Sequence, residues 1–425
     1  MFALSPFGDI TPWDRLRRWI DVASERHVLA RLDAQGQPLG KPVPVAEDRD
    51  GHDALLRLLG PPPVLVAMEA TGHYWKNLYA ALVAAGHRVA LLNPLQARRF
   101  QDSGLERTKT DAIDAAGLAR FAFEKRPEPT QLHDAAAEAL RELVRHRDRL
   151  RQDFDDRVRQ LHRLVDLGFP EFTRYVRGLD SMPATCLLAE CPTARDFAQA
   201  TPRRLAKLRY DGRHLVGAEL AQQLVDAAKP GEPLGSTRSV GQHHGPAYKL
   251  QARHICQDLD LWRRRLTEIE RDIDGLLDAH EVGKLLLTIE GIGPQTAARI
   301  VAAVGDPARF KSAAAFAAYV GVVPGLRQSG KTSARRAACA PVGNARLRTA
   351  LWMPTLGAVR RNPWLRAFYE GLRARGKPPK SSVPLGTTLA LVAAMRKLLH
   401  AAYSVAKNRK PFTVGTDDTE QARAA

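Results

Sequence analysis

Cysteine is scarce in this 425-residue sequence, which contains only Cys186, Cys191, Cys256 and Cys339. These residues form no Cys-x-x-Cys pair and have no histidines at a matching spacing. They therefore indicate neither a zinc site nor a disulfide framework, and we expect reduced thiols.

Long hydrophobic runs are also missing. Although 44% of the residues are hydrophobic, which is ample for a folded core, no apolar stretch approaches the roughly 20 residues that a membrane-spanning helix needs. Near the beginning, Asp9 precedes any long apolar stretch, so the basic-then-apolar order of a secretory signal is not found. We expect a cytoplasmic, nucleoid-associated protein with no membrane partner.

Negative charge is in deficit, because 46 acidic residues face 64 basic ones. The formal net charge of +18 and the isoelectric point near 10.1 create a positive field that attracts polyanions, so the natural partner is nucleic acid. A general arginine bias in the source proteome is the alternative explanation. The length fits two or three domains.

Short strands and helices alternate in the first part of the chain. A β-like meander comes first, and strands then alternate with helices. The predicted strands are 19–22, 28–32, 42–45, 64–68 and 89–92, and the predicted helices are 50–59, 74–85 and about 110–123. This order predicts an α/β fold, a mixed sheet with flanking helices of the RNase H and RuvC-like resolvase class.

The remainder is predicted to be helical. Two long charged helices, at about 140–165 and 248–277, have apolar residues at helical or heptad spacing, which predicts an antiparallel helical hairpin, a coiled coil. The stripe on the second helix consists of Leu250, Leu259, Leu266, Ile269, Ile273 and Leu276. The predicted domains are an N-terminal extension (1–18), a RuvC-like domain (19–126), a helical stalk (127–280) with a helical insertion (167–245), a C-terminal domain (281–406) and a tail (407–425).

Four carboxylates stand at positions where a catalytic site could use them. Asp21 lies in the middle of the first predicted strand, Glu69 follows an apolar strand, and Asp111 and Asp114 are one helical turn apart. Clustered carboxylates repel each other unless cations neutralise them, and hard oxygen ligands suit magnesium in phosphodiester chemistry. The alternatives are that Asp111 caps a helix and that Glu69 is a solvated strand end.

A glycine-rich segment near the C-terminal third has the pattern of a helix-hairpin-helix. Residues 286–300 read as a helix, an apolar-Gly-apolar-Gly turn at Gly291 and Gly293, and a second helix. Free amides at the start of that second helix can bind a DNA phosphate without reading sequence. A plain helical hairpin turn is the alternative.

A single serine, Ser329, lies in a glycine-flanked loop among cations. Serine needs activation to act as a nucleophile, and Arg327, Lys331 and Arg335 are suited to stabilise a phosphorane. Judged by spacing alone, this segment is an ordinary surface loop. Lys109, near the acidic pair, is either a phosphate contact or an ordinary exposed lysine.

These motifs together resemble one family, the insertion-sequence one-ten family of DEDD transposases, which includes the pilin-gene inverting recombinases. The similarity extends from about Trp19 to Lys407. The motifs are Ile20-Asp21-Val22-Ala23-Ser24, Glu69-Ala70-Thr71-Gly72-His73-Tyr74, Asn93-Pro94, Lys109-Thr110-Asp111-Ala112-Ile113-Asp114-Ala115, the Gly291 hairpin, the Ser329-Gly330 loop and Gly343-Asn344-Ala345-Arg346-Leu347-Arg348.

The resemblance implies roles for particular residues. Asp21, Glu69, Asp111 and Asp114 would form a site for Mg²⁺ or Mn²⁺, and Ser329 would be the nucleophile that becomes joined to DNA. The residues expected to contact nucleic acid are Lys109, Gly291, Gly293, Arg327, Lys331, Arg335, Arg346 and Arg348. The implied partners are donor and target DNA, a bridge RNA, and further copies of the chain in a dimer or tetramer. One departure is Cys339-Ala340-Pro341-Val342, which replaces the basic residue usual before Gly343.

Two other functions remain open from the sequence. One is a metal-dependent, structure-specific endonuclease of the Holliday-junction type, which uses only the four carboxylates and a water nucleophile. The other is a nucleic-acid-binding scaffold in which the acidic residues are structural.

Overall fold

The computed structural model describes most of the chain, in two compact units, 1–132 and 133–425. The described residues are 18–33, 37–70, 72–93, 121, 123–124, 127–130, 132, 135–231, 237–325, 328–329, 332–333, 338–339, 343–374 and 385–413. At 324–325, 328–329, 332–333, 338–339 and 385–389 only the backbone is described. The finer domain boundaries remain a prediction.

The first unit contains a five-stranded mixed sheet. Its strands are β1 (Arg18–Asp21), β2 (Arg26–Arg31), β3 (Val43–Ala46), β4 (Leu65–Glu69) and β5 (Arg88–Leu92). They are ordered β3-β2-β1-β4-β5. β2 is antiparallel to both β1 and β3, whereas β1, β4 and β5 are parallel to one another. Helix α1 (Arg49–Leu59) follows β3 and α2 (Trp75–Ala84) connects β4 to β5. The predicted meander followed by β-α-β is confirmed.

Each face of the sheet has its own hydrophobic core, because successive strand residues point to opposite sides. On one face Ile20 and Met68 pack with residues of α1 and α2. On the other, Trp19 and Ala67 pack together with Phe121. A side chain's place in β1 or β4 therefore determines which of the two faces it joins.

The segment that returns after β5 is attached to the sheet edge by Thr130. Its hydroxyl accepts a hydrogen bond from the Leu91 amide (2.9 Å), and its own amide donates to the Val89 carbonyl (2.8 Å). The Tyr79 hydroxyl of α2 donates to the Thr130 carbonyl (2.7 Å). These bonds satisfy backbone groups along the outer edge of β5, which an unpaired edge strand would expose.

Two 34-residue helices, α3 (Ala135–Gly168) and the later α9 (Pro246–Ala279), form the centre of the second unit. Arg147 pairs with Glu270 (2.6 Å) and Arg157 with Asp258 (3.1 Å). Because positions that rise along one helix meet positions that fall along the other, the helices are antiparallel. The helical hairpin is thus present, while coiled-coil supercoiling stays a prediction.

The prediction that Leu250 belongs to a buried apolar stripe on α9 was wrong. Leu250 is 53% exposed, whereas Leu259, Leu266 and Ile273 are buried. The N-terminal turns of α9 pack against the region of Gly241 to Pro246 through His243 and Tyr248, whose rings lie 4.9 Å apart. Heptad spacing alone does not show where α9 contacts segments other than α3.

Short helices fill the region between the two long ones. Phe169, Phe172 and Phe197 are fully buried there, with ring centroids 5.3 to 6.1 Å apart. The helices are α4 (Phe172–Tyr175), α5 (Met182–Glu190), α6 (Ala194–Gln199), α7 (Pro202–Ala206) and α8 (Ala218–Ala228). The predicted helical insertion therefore has an aromatic core continuous with that of the hairpin.

The last part of the second unit is mainly helical, as predicted. Its helices are α10 (Glu281–Leu287), α11 (Pro294–Val304), α12 (Ala313–Val320), α13 (Ala345–Ala350), α14 (Trp352–Arg361), α15 (Pro363–Ala374) and α16 (Leu385–Asn408). Two pairs of two-residue strands interrupt them: β6 (Pro324–Gly325) with β9 (Ala338–Cys339), and β7 (Gln328–Ser329) with β8 (Thr332–Ser333). Among the described residues, no helix is long and apolar enough to cross a membrane.

The three cysteines whose side chains are described, Cys186, Cys191 and Cys256, are free thiols. Burial raises the pKa of the Cys191 thiol to about 11 and that of Cys256 to about 12. Both thiols are therefore protonated, unreactive core side chains at neutral pH.

The turn between α10 and α11 depends on a glycine. Gly291 has φ +104°, and a Cβ at this position would lie 2.2 Å from the Ala358 Cβ of α14. We expect Gly291→Ala to lower the free energy of unfolding by about 3 kcal/mol, from backbone strain and overpacking combined. Denaturant titration of the purified protein measures this change.

Gly293→Ala is the matched control, two residues away. Gly293 has negative φ and open space around its Cα, so alanine should cost under about 1 kcal/mol, as a poorer helix N-cap. Equal losses in the two variants would contradict a packing role specific to Gly291.

Candidate active site

Asp21 and Glu69 are the last residues of adjacent parallel strands. The register pairs Ile20 with Met68, so Asp21 lies beside Glu69, at a strand separation of about 4.8 Å. Both residues point to the face of Trp19 and Ala67, opposite α1 and α2, because side chains alternate along each strand. Two half-buried carboxylates thus meet at the carboxyl end of the sheet.

Val28 gives independent support for this orientation. It is the cross-strand partner of Asp21, and directly opposite residues point to the same face. Val28 packs against the cluster that contains Trp19 and Phe121. Glu69, predicted to follow its strand, is instead the final strand residue, which aligns it with Asp21.

The other predicted residues of the acidic site, Asp111 and Asp114, lie outside the described residues, as does Lys109. The described residue closest to them on the C-terminal side is Phe121, which is helical and buried on the face to which Asp21 and Glu69 point. Phe121, seven residues after Asp114, thus lies on the face to which Asp21 and Glu69 point. The roles of the two aspartates remain predictions.

Ser329 belongs to a short β-hairpin. It is the second residue of β7 and pairs with Thr332 of β8, while Gln328 pairs with Ser333. The sequence predicted only a loop here, because two-residue strands leave no periodic signal. Arg327, Lys331 and Arg335 lie outside the described residues, and their contact with nucleic acid remains a prediction.

The turn between α10 and α11 presents its two glycines differently. Gly291 packs against Ala358, which explains this glycine by internal packing. Gly293 is exposed and is the N-cap of α11, followed by Pro294 at the first helical position. The start of α11 is therefore accessible to a phosphate, and DNA contact by this turn remains a prediction.

The two arginines of the motif at Gly343 also differ. Arg346 is exposed on α13, whereas Arg348 is half-buried and donates to the Val320 carbonyl (3.3 Å). Asn344 caps α13 by accepting a hydrogen bond from the Leu347 amide (3.1 Å). Part of this motif therefore connects α13 to α12, and Arg346 is the better placed of the two for a phosphate.

A group of charged side chains near Arg346 was not identified from the sequence. Burial lowers the pKa of the Arg145 guanidinium, the neighbouring charges of Arg141 and Arg346 lower it further, and those of Glu142 and Glu138 raise it. Arg141 and Arg145 lie on α3 and pair with Glu138 and Glu142 (3.6 and 3.7 Å). The tertiary structure therefore brings α3 and Arg346 into one neighbourhood of mixed charge, in which Arg346 is exposed.

Comparison with known proteins agrees with this arrangement. A family model described as a transposase of the DEDD IS110 type matches residues 20–170, which include all four predicted carboxylates. A second model, described as a transposase of the IS116/IS110/IS902 family, matches residues 283–370, which include Ser329. The chain belongs to the IS110 family of transposases. This is the insertion-sequence one-ten family that the motifs resemble, and that expectation is confirmed.

Curated relatives of this IS110-family chain align over most of its length. A mini-circle putative transposase for IS117 from Streptomyces coelicolor is 29% identical over 380 residues, covering 84% of this chain and 87% of the relative. A pilin gene-inverting protein from Moraxella bovis is 24% identical over 351 residues, covering 81% and 80% respectively. A DNA recombinase or transposase activity follows from family membership.

Proposed function

We propose that this IS110-family protein cuts and rejoins DNA through a covalent serine–DNA intermediate, with a divalent metal held by four carboxylates and a bridge RNA as guide. The observation that supports this most directly is the meeting of Asp21 and Glu69 on one face, at the ends of neighbouring parallel strands. Two carboxylates side by side at the ends of neighbouring strands can share a divalent cation, which neutralises both charges.

Asp111 and Asp114 are proposed to complete the site. Phe121 packs on the same face as the acidic pair. If the predicted helix of 110–123 is continuous, Asp114 precedes Phe121 by two turns and lies on the same side of that helix. Asp111 would lie one further turn away, so both carboxylates would approach Asp21 and Glu69.

The carboxylate set fits a hard divalent cation. Asp21 and Glu69 offer oxygen ligands at a half-buried position, which is what Mg²⁺ or Mn²⁺ prefers. When bound, the metal would polarise the phosphodiester and neutralise developing charge. The carboxylates would hold it and orient the scissile phosphate. The ends of β1 and β4 determine where the side chains of Asp21 and Glu69 project.

Ser329 is proposed to attack the DNA backbone. Its hydroxyl oxygen forms a bond to phosphorus while the bond from phosphorus to one deoxyribose oxygen breaks, and that oxygen leaves with a proton. The serine loses its own proton to a nearby base, which balances the proton that the departing deoxyribose oxygen takes up. Attack by a strand hydroxyl on the phosphoserine reverses these changes and rejoins DNA, so the phosphodiester energy is retained and no ATP is needed.

Nucleic acid is proposed to bind through the positive charge of the protein. The net charge of +18 and the exposed Arg346 of α13 favour backbone contacts, which are independent of sequence. Base pairing by a bridge RNA would then select donor and target DNA. A second copy of the chain is proposed to bring its serine to the acidic site of the first.

The test is a reaction of the purified full chain with element-end DNA, the RNA transcribed from the element's flank, and Mg²⁺ or EDTA. We expect a metal-dependent DNA species that migrates with covalently bound protein on a denaturing gel. Cleavage without such an adduct would favour the structure-specific endonuclease. No metal-dependent reaction, with binding retained, would favour the scaffold.

A further inference from the structure

A second cluster of metal-ligating side chains lies in the first unit. The Nε2 atoms of His27 and His52 both contact Glu47 Oε2, at 2.5 and 2.8 Å. One ligand atom from each of the three residues lies within 4.8 Å of the others. His27 is on β2, Glu47 directly follows β3, and His52 is in the first turns of α1.

This cluster is separate from the acidic pair. His27 alternates with Val28, which packs on the face of Trp19, so His27 points to the opposite face, where α1 and α2 pack. Asp21 and Glu69 point away from that face. An ion bound by the histidine cluster and an ion bound by the carboxylates would therefore lie on opposite faces of the sheet.

Glu47 is an anionic ligand held in place by its neighbours. Its two carboxylate oxygens contact three side chains, those of His27, His52 and Asn77. Asn77 Nδ2 of α2 donates to Glu47 Oε1 (3.2 Å), which leaves Oε2 facing the histidines. An amide that orients a ligating carboxylate is a common feature around metal sites.

The three side chains of the cluster differ in their exposure to solvent. The His27 side chain is fully buried, while those of Glu47 and His52 are each 18% exposed. A chelating set with one closed side and one accessible side allows an ion to enter and be partly dehydrated. Two imidazoles and one carboxylate form a ligand set of the kind that zinc takes, with an open fourth position.

We propose that His27, Glu47 and His52 form a binding site for a transition-metal ion of the zinc class. Imidazole nitrogens distinguish it from the Mg²⁺ site, whose ligands are all oxygens. Bound metal would connect β2, the end of β3 and α1, and so stabilise the face of the sheet opposite the acidic pair.

Metal binding requires the three ligand atoms, which lie within 4.8 Å of one another, to move to new separations. Ligand atoms around tetrahedral zinc are about 3.3 Å apart, given bonds of about 2.0–2.1 Å, so the carboxylate must move back by less than about 1 Å. His27 Nδ1 accepts a long hydrogen bond from the Ala23 amide (3.4 Å). Coordination through Nε2 moves the ring proton to Nδ1, which then no longer accepts a hydrogen bond from the Ala23 amide. The contact that is lost is near the length limit of a hydrogen bond.

Cobalt(II) provides the sharpest probe, because four-coordinate Co²⁺ with nitrogen ligands absorbs visible light far more strongly than six-coordinate Co²⁺ with oxygen ligands. Metal-free full-length protein is titrated with CoCl₂ at neutral pH. We expect an intense visible band that saturates at one equivalent, and that Zn²⁺ abolishes by competition.

Variants assign the band to this cluster. His52→Ala and Glu47→Gln should weaken cobalt binding by about tenfold or more, and Asp21→Asn, on the opposite face, should leave the band unchanged. His162→Ala, which removes a 58% exposed histidine, is the matched control. Circular dichroism and metal-free melting temperature identify any variant that has failed to fold.

The readout is independent of DNA cleavage. Zinc should also raise the melting temperature of the wild type and not that of the folded His52→Ala variant. The inference is overturned if no intense band develops, or if the band persists unchanged in both His52→Ala and Glu47→Gln.

Discussion

Ser329→Ala is expected to abolish covalent protein–DNA adducts while DNA and RNA binding stay within about twofold of the wild type. Alanine removes the only atom of this side chain that can bond to phosphorus. The backbone pairing of β7 with β8 does not involve the hydroxyl and should remain. The measurement is a denaturing gel of the complete reaction, alongside binding of the same DNA and RNA at fixed salt, because these affinities depend strongly on ionic strength.

Ser333→Ala is the matched control for this variant. Ser333 lies on β8, opposite Gln328 in the same short hairpin, and has no proposed role. It should form adducts at the wild-type level. Adducts that persist in Ser329→Ala would disprove the assignment of this serine as nucleophile, and metal-dependent cleavage that persists there without adducts would support a water nucleophile.

Asp21→Asn is expected to reduce metal-dependent strand cleavage by about a thousandfold. The amide has nearly the same shape but no charge, so the site loses a metal ligand, and several kcal/mol of transition-state stabilisation correspond to about three orders of magnitude in rate. The fold should be retained, since Asp21 ends its strand at the edge of the core. Single-turnover cleavage over a range of Mg²⁺ and Mn²⁺ concentrations measures the effect.

Glu25→Gln separates loss of a ligand from loss of charge. Glu25 is exposed in the turn between β1 and β2, close to Asp21 along the chain. Its variant has the same change in net charge and should cleave at the wild-type rate. If Asp21→Asn cleaved as fast as Glu25→Gln, Asp21 would not be a ligand of the catalytic metal, and the proposed carboxylate site would be disproved.

The two variants together distinguish the candidate functions. A recombinase loses adducts in both Ser329→Ala and Asp21→Asn. An endonuclease loses cleavage in Asp21→Asn alone. A scaffold catalyses no reaction and keeps its nucleic-acid binding in both variants, since neither change removes a positive charge.

The order of secondary-structure elements was largely predictable, because it depends on local periodicity. The apolar run before Glu69 and the alternation around Leu29 predicted the strands to within one or two residues. The long helices were recognised by apolar residues at helical spacing. Leu250 shows the limit of this method, since its position fits the stripe but its surroundings leave it exposed.

Weak local signals explain what the sequence did not predict. The strands β7 and β8 are too short for alternation to appear, so the segment of Ser329 read as a loop. The group of charged side chains near Arg346 and the His27–Glu47–His52 cluster join residues from separate elements. Neither shows a motif at fixed spacing, because each depends on which elements pack together.

The sequence by itself determined the α/β and helical parts, the positive charge and the family motifs, because these are properties of composition, periodicity and residue order. Only the tertiary structure decided that Asp21 and Glu69 are neighbours and that His27 lies on the other face. The reason is physical: the pairing of β1 with β4 sets which strand ends meet, and the alternation of side chains then assigns each residue to one side of the sheet.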